Sequence, residues 1–145
     1  MVISTPLVSA LAAWFLAQVI KVPVEYYTTK EWHWHLLLSP GGMPSSHAAL
    51  VCGLAWTVGL ENGFDSAAFA IAAVLAIVVI YDAMGIRRAA GQHARVINRM
   101  INDLARGHPL KQEALRELLG HTPQQVFTGI LFGVVVSWGV WTWLQ

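Results

Sequence analysis

VFTGILFGVVVSWGVWTWL, residues 126–144, contains no charged side chain. A helix crossing the roughly 30 Å hydrocarbon core of a bilayer needs about 20 predominantly apolar residues, and this run reaches that length without help from its flanks. Trp138, Trp141 and Trp143 crowd toward its end, where interfacial anchors belong. Moving outward, residues 1–20 form a second uncharged run that stops at Lys21. Two shorter apolar runs, 48–60 and 67–81, reach spanning length once residues 44–46 and 82–85 are added. The reading is an all-α integral membrane bundle in one domain, 1–145. Its spans are expected near 3–22, 45–61, 65–85 and 124–144, with short interfacial helices in the connections.

Composition agrees with that pattern. The chain is 56% hydrophobic and 12% charged, with a mean hydropathy of +0.54. Soluble domains carry about 25% charged residues, and a chain of 145 residues has too much surface to hide this apolar content in water. A soluble enzyme, a nucleic-acid binder and a disordered segment are therefore poor readings. The net charge of +1 offers no bulk attraction to nucleic acid. The single Cys52 excludes an internal disulfide framework and reads as a small buried hydrophobe. The first run has no basic segment before it, so it reads as a retained helix and not as a cleaved signal.

The placement of charge orients the bundle. Lys21 and Lys30 follow the first run, and Arg87, Arg88, Arg95, Arg99, Arg106, Lys111 and Arg116 follow the third. The link between the second and third runs carries only Glu61 and Asp65. The positive-inside rule then makes loops 23–44 and 86–123 cytoplasmic and places both termini on the other side of the cell membrane. Within the long loop, Val96, Ile97, Met100, Ile101 and Leu104 recur at helical spacing, which predicts an amphipathic helix at the membrane surface or against the bundle. A second short helix is expected over 110–119.

Two clusters carry candidate chemistry. In Ser39-Pro40-Gly41-Gly42-Met43-Pro44-Ser45-Ser46-His47, Gly41 and Gly42 allow a close backbone approach, and Pro44, Ser45 and Ser46 suit a helix start. Free N–H groups and the positive dipole end at such a start form a ready anion site. His47 in the first turn could then protonate a phosphate oxygen. The plain alternative is a capped helix with an incidental histidine. In the second cluster, Asp82 ends the third span, Arg87 and Arg88 follow it, and His93 comes six residues after Arg87. Paired arginines can simply fix topology, or their guanidinium forks can hold phosphate oxygens in bidentate fashion. His93 offers a nucleophile or a base.

Lys21 reads as a snorkelling helix-end lysine or as a phosphate ligand. His121, in Gly120-His121-Thr122-Pro123, opens the last span. His33 and His35 alternate with Trp32 and Trp34, an interfacial pattern without metal-ligand spacing. The candidates from Lys21 to His121 all fall on the one basic face.

Pro44-Ser45-Ser46-His47 resembles the Pro-Ser-Gly-His motif of type-2 phosphatidic acid phosphatases and vanadium-dependent haloperoxidases, with Ser46 in place of Gly. Arg87-x5-His93 resembles the core of their third motif. The chain is more similar to the short, divergent bacterial and plant branch of that superfamily. The resemblance rests on Gln18-x2-Lys21, the 41–47 string, Tyr81-Asp82-Ala83, Arg87-Arg88-Ala89-Ala90-Gly91 and Gly120-His121-Thr122-Pro123. It implies a membrane phosphatase that acts on a lipid phosphate or pyrophosphate at the cytoplasmic interface, through a phosphohistidine and without metal or other cofactor. His47 would be the general acid and His93 the nucleophile, with His121 as the alternative nucleophile and Asp82 as its partner. Lys21, Gly42, Ser45, Ser46, Arg87, Arg88 and Asn98 would hold the phosphate, Asn98 lying one place beyond the position of the family's orienting aspartate. Four spans are fewer than the superfamily's six, and a homodimer would complete the bundle. The alternative reading is a non-catalytic protein that binds anionic lipid headgroups or assists another membrane enzyme.

Overall fold

The computed structural model describes residues 4–38, 41–85, 93–94, 96–98, 100–102 and 122–145. Their framework is four long helices: α1 (Thr5–Thr29), α2 (Ser46–Asn62), α3 (Ala67–Met84) and α4 (Pro123–Leu144). A 3-10 turn, Trp34–Leu37, lies between α1 and α2. No strand occurs among the described residues. The expected all-α membrane bundle is the observed class, and α1, α3 and α4 are each long and apolar enough to cross a membrane. At 1.5 Å per residue the 17 residues of α2 extend about 25 Å.

α2, α3 and α4 each begin at a capping side chain. Ser45 Oγ accepts the Ala48 N–H and Ser66 Oγ accepts the Phe69 N–H, which satisfies donors the helix itself leaves free. α4 opens with a capping box: the Thr122 side chain accepts the Gln125 N–H, and the Gln125 side chain accepts the Thr122 N–H. α1 runs beyond the span expected for it, so residues 23–29 are helical and not loop. Hydropathy falls at Lys21, but polarity does not stop a helix. The stop is conformational: Lys30 turns left-handed at φ 61°, and its N–H bonds to the Tyr26 carbonyl at 2.8 Å.

α2 is the central strut, packed against α1, α3 and α4, while α1 also packs on α4. Small side chains let these axes approach closely. On α1 the buried stripe includes Ser9, Ala13 and Ala17, ending at Lys21. Gly129 and Gly133 of α4 lie directly against the backbone of Ser45 and Ala49, and Gly53 of α2 is close to Ala13 and Ser137. This is close packing of the small-x3-small type, the usual way for helices to associate where lipid removes the hydrophobic drive. The contact order, Ser45 with Gly129 and Ala49 with Gly133, shows that α2 and α4 run parallel. Lys21 meets Ser46 and Ala13 meets Gly53, so α1 runs opposite to α2.

α3 buries only Ala72, Ala76 and Ala83, and it exposes Ile71, Val74, Ile77 and Val78. Such a bulky aliphatic face suits hydrocarbon. At the turn into α3, Phe64 meets Phe69 edge to face with centroids 5.1 Å apart, and Trp56 packs on Phe64 at a tilt of 58°. Beyond α1, Tyr26, Trp32 and Trp34 form a stacked ladder with centroid spacings of 4.4 and 5.4 Å. In the stretch 93–102 the described residues are helical, as the spacing predicts. Val96, Ile97 and Met100 are exposed and Asn98 is buried, so the apolar side faces away from the bundle. Leu104 and the helix expected over 110–119 lie outside the described residues.

Candidate functional site

Alternating helix directions bring four termini to one end of the bundle: the ends of α1 and α3 and the starts of α2 and α4. The loop 41–45 sits at that end. Lys21 is the centre of a polar node there and is only 1% exposed. Its ammonium donates to Gln18 Oε1 and, at 3.3 Å, to Ser46 Oγ in the first turn of α2. Gln18 Nε2 in turn donates to the Leu37 carbonyl at 2.8 Å, fixing the 3-10 turn to α1. Gln18 and Lys21 share a face because three residues make about one helical turn. A buried ammonium needs such partners, since leaving it unpaired away from water costs several kcal/mol.

The glycine loop closes over this node. Gly42 has φ +85°, a left-handed conformation that favours glycine, and a Cβ there would stand 3.5 Å from Lys21 Cδ. Ser45 is fully buried, and its N–H donates to the Gln125 carbonyl of α4 at 2.9 Å. The start of α2 is thus clamped between α1 and α4. His47 follows directly and is half-buried. The structure therefore groups Lys21, Gly42, Ser45 and Ser46, with His47 adjoining in sequence and on the same first turn.

The other candidates stand as follows. Asp82 is half-buried in the last turn of α3, at the same end. His93 is exposed and Asn98 is buried on their helical stretch. Arg87, Arg88 and His121 lie outside the described residues. Among the described residues no group of three or more His, Cys, Asp or Glu side chains is placed to hold a metal ion. His33 and His35 have ring centroids 5.5 Å apart, and His33 Nε2 is 3.4 Å from Glu31 Oε2.

Two participants were not assigned a role from sequence. Gln18 was visible as an amide inside an apolar helix, three residues before a lysine, a costly placement unless it is paired. The Gln125 carbonyl had no sequence signal, because any residue supplies a backbone carbonyl.

The described residues thus form an α-helical membrane bundle with a glycine loop and a Ser-Ser-His helix start over a buried lysine. The family model described as "Divergent PAP2 family" matches residues 2–136, and the chain belongs to that family. It is 44% identical over 143 residues to the uncharacterized membrane protein YuiD of Bacillus subtilis (strain 168), covering 91% of this chain and 90% of the relative. No solved structure gives a significant match.

Proposed function

We propose that this membrane protein hydrolyses a lipid phosphate or pyrophosphate at the rim of the bundle end that carries Lys21. The observation that carries the reading is the buried Lys21 bound to Ser46, beneath Gly42, with His47 the next residue in the first turn of α2. A fixed cation, helix N–H groups and a nearby imidazole are what a phosphoryl group needs as charge builds on its equatorial oxygens. Arg87 and Arg88 would add bidentate donors. The nitrogen of His93 or His121 attacks the terminal phosphorus while its bond to the leaving oxygen breaks. His47 gives its proton to that oxygen, so a lipid monophosphate leaves as the alcohol and a lipid pyrophosphate as the lipid monophosphate. Water then attacks the phosphohistidine, His47 takes the water proton, and inorganic phosphate departs. Metal takes no part in this scheme. The basic distribution supports a site on the cytoplasmic side, with both termini opposite.

The test uses purified protein in detergent with phosphatidate, phosphatidylglycerophosphate and a polyprenyl phosphate. Wild-type protein is expected to release phosphate from at least one of them. Loss of a general acid typically costs about 10²–10⁴-fold in rate, and His47→Ala is expected to fall within that range. No release from any of these lipids, with or without divalent metal, overturns hydrolysis.

A second reading has one observation in its favour. The Lys21 ammonium is already engaged by Gln18 and Ser46, as a structural lysine would be. In that reading the site binds anionic headgroups without turnover, and lipid binding depends on Arg87 and Arg88 while no chemistry depends on His93 or His121.

A further inference from the structure

Next to the lysine node a cleft of about 440 Å³ opens between the last turns of α1 and the start of α4. That volume is within the range of small-ligand sites, about 300–1,000 Å³. Its polar lining is Glu25, Thr28, Thr29, Thr122, Gln124 and Gln125, with no lysine or arginine among the described residues. Among the described lining residues the charged group is the Glu25 carboxylate, whose Oε1 stands 4.0 Å from His33 Nδ1, so this lining disfavours a second phosphate. We propose instead that it binds the hydroxyl-bearing part of a lipid headgroup, next to the phosphate.

The donors and acceptors specify that chemistry. Thr28 Oγ1 donates to the Val24 carbonyl and Thr29 Oγ1 to the Glu25 carbonyl, both at 3.0 Å. Their protons are spent, and their oxygens keep acceptor capacity. The Glu25 carboxylate accepts only, while the Gln124 amide can both accept and donate. Thr122 Oγ1 accepts the Gln125 N–H, which leaves its own proton to give. Acceptors therefore outnumber donors along a wall of hydroxyl and amide groups with one carboxylate, the complement of several hydroxyl groups. A compact ammonium would satisfy Glu25 but leave most of the threonine and glutamine groups unused.

Two residues of the cleft wall adjoin the phosphate site. Met43 lines the cleft, immediately after Gly42, which covers Lys21. Gln125 lines it as well, and its carbonyl holds the Ser45 N–H. Glu25 follows Lys21 by four residues, about one turn of α1. A headgroup whose phosphate reaches Lys21 and Ser46 thus has its alcohol substituent beside the cleft. The inference rests on the reading that the Lys21–Ser46 site takes a lipid's phosphate group, and it extends that reading from monoesters to binding of phosphodiester headgroups.

Native mass spectrometry of the full chain in detergent tests it, with phosphatidylinositol, phosphatidate and phosphatidylethanolamine at equal concentration. Hydrogen bonds to a charged group justify expecting about ten-fold greater retention of phosphatidylinositol than of phosphatidate. Glu25→Ala and Thr28→Val should each bring that ratio toward one and leave phosphatidate retention unchanged, which also reports that the variant is folded. Equal retention of all three lipids by wild-type protein overturns the proposal. So does a preference for phosphatidylethanolamine, or a phosphatidylinositol preference that survives both substitutions. Because the readout is binding, failure of phosphate release would sink hydrolysis and leave this result standing. Failure of headgroup preference alongside phosphate release would do the reverse.

Discussion

Lys21 shows how a residue's meaning depends on where its helix ends. In sequence it follows an apolar run and looks like a terminal lysine with its amine in water. In the structure α1 continues for eight residues past it, to Thr29, and Lys21 is buried inside the bundle. Its polar partners become obligatory there. Gln18→Leu would strip acceptor Oε1 from the ammonium and leave the Leu37 carbonyl without its donor. Each unsatisfied buried group costs about 1–3 kcal/mol, so a marked drop in the midpoint of thermal unfolding in detergent is expected. A midpoint within a degree of wild type would contradict the role given to Gln18. The Ser45, Ser46 and Gly42 cluster was legible because capping residues and glycines have fixed local uses. The Gln18 bridge was not, because its other end, the Leu37 carbonyl, is 19 residues away along the chain.

At the scale of the element, the four apolar runs were readable as helices, but their packing was only implicit. Hydropathy treats glycine and alanine as weakly apolar filler. The spacing Gly129-x3-Gly133-x3-Ser137 instead marks the face on which α4 approaches α2. That face decides the position of the site, because Gly129 lies over Ser45 at the start of α2. Gly133→Leu would drive a side chain into the Ala49 backbone. Overpacking costs about 1–3 kcal/mol, and here it would also push α2 from α4. Gly139→Ala is the control, since a Cβ there meets nothing within 4 Å. Replacing a helical glycine in open space should be neutral or stabilise by about 0.5–1 kcal/mol. Equal thermal stability of the two variants would contradict the close-packed seam. The helix boundaries were the less legible part: the end of α1 depends on the left-handed turn at Lys30, which no apolar period announces.

For the whole molecule, a scarce and one-sided charge distribution becomes a bundle with one chemically equipped end. Lys21, Ser45, Ser46, His47 and Asp82 come from three different helices, and only the alternating directions bring them to that end. The sidedness proposed for it has its own test. In a Cys52→Ser background, Lys30→Cys should react with an impermeant maleimide only after the membrane is opened, and Asp65→Cys in intact cells. The opposite pattern would invert the topology. The central claim, that this end transfers a phosphoryl group through histidine, is tested most directly by trapping. Purified protein is mixed briefly with a lipid phosphate labelled with ³²P, quenched in alkali and separated from lipid. The expected result is label on the chain that survives alkali, is lost in acid, and disappears when the responsible histidine, His93 or His121, is replaced by Gln. Label-free protein during sustained phosphate release, or label unaffected by either replacement, would contradict it.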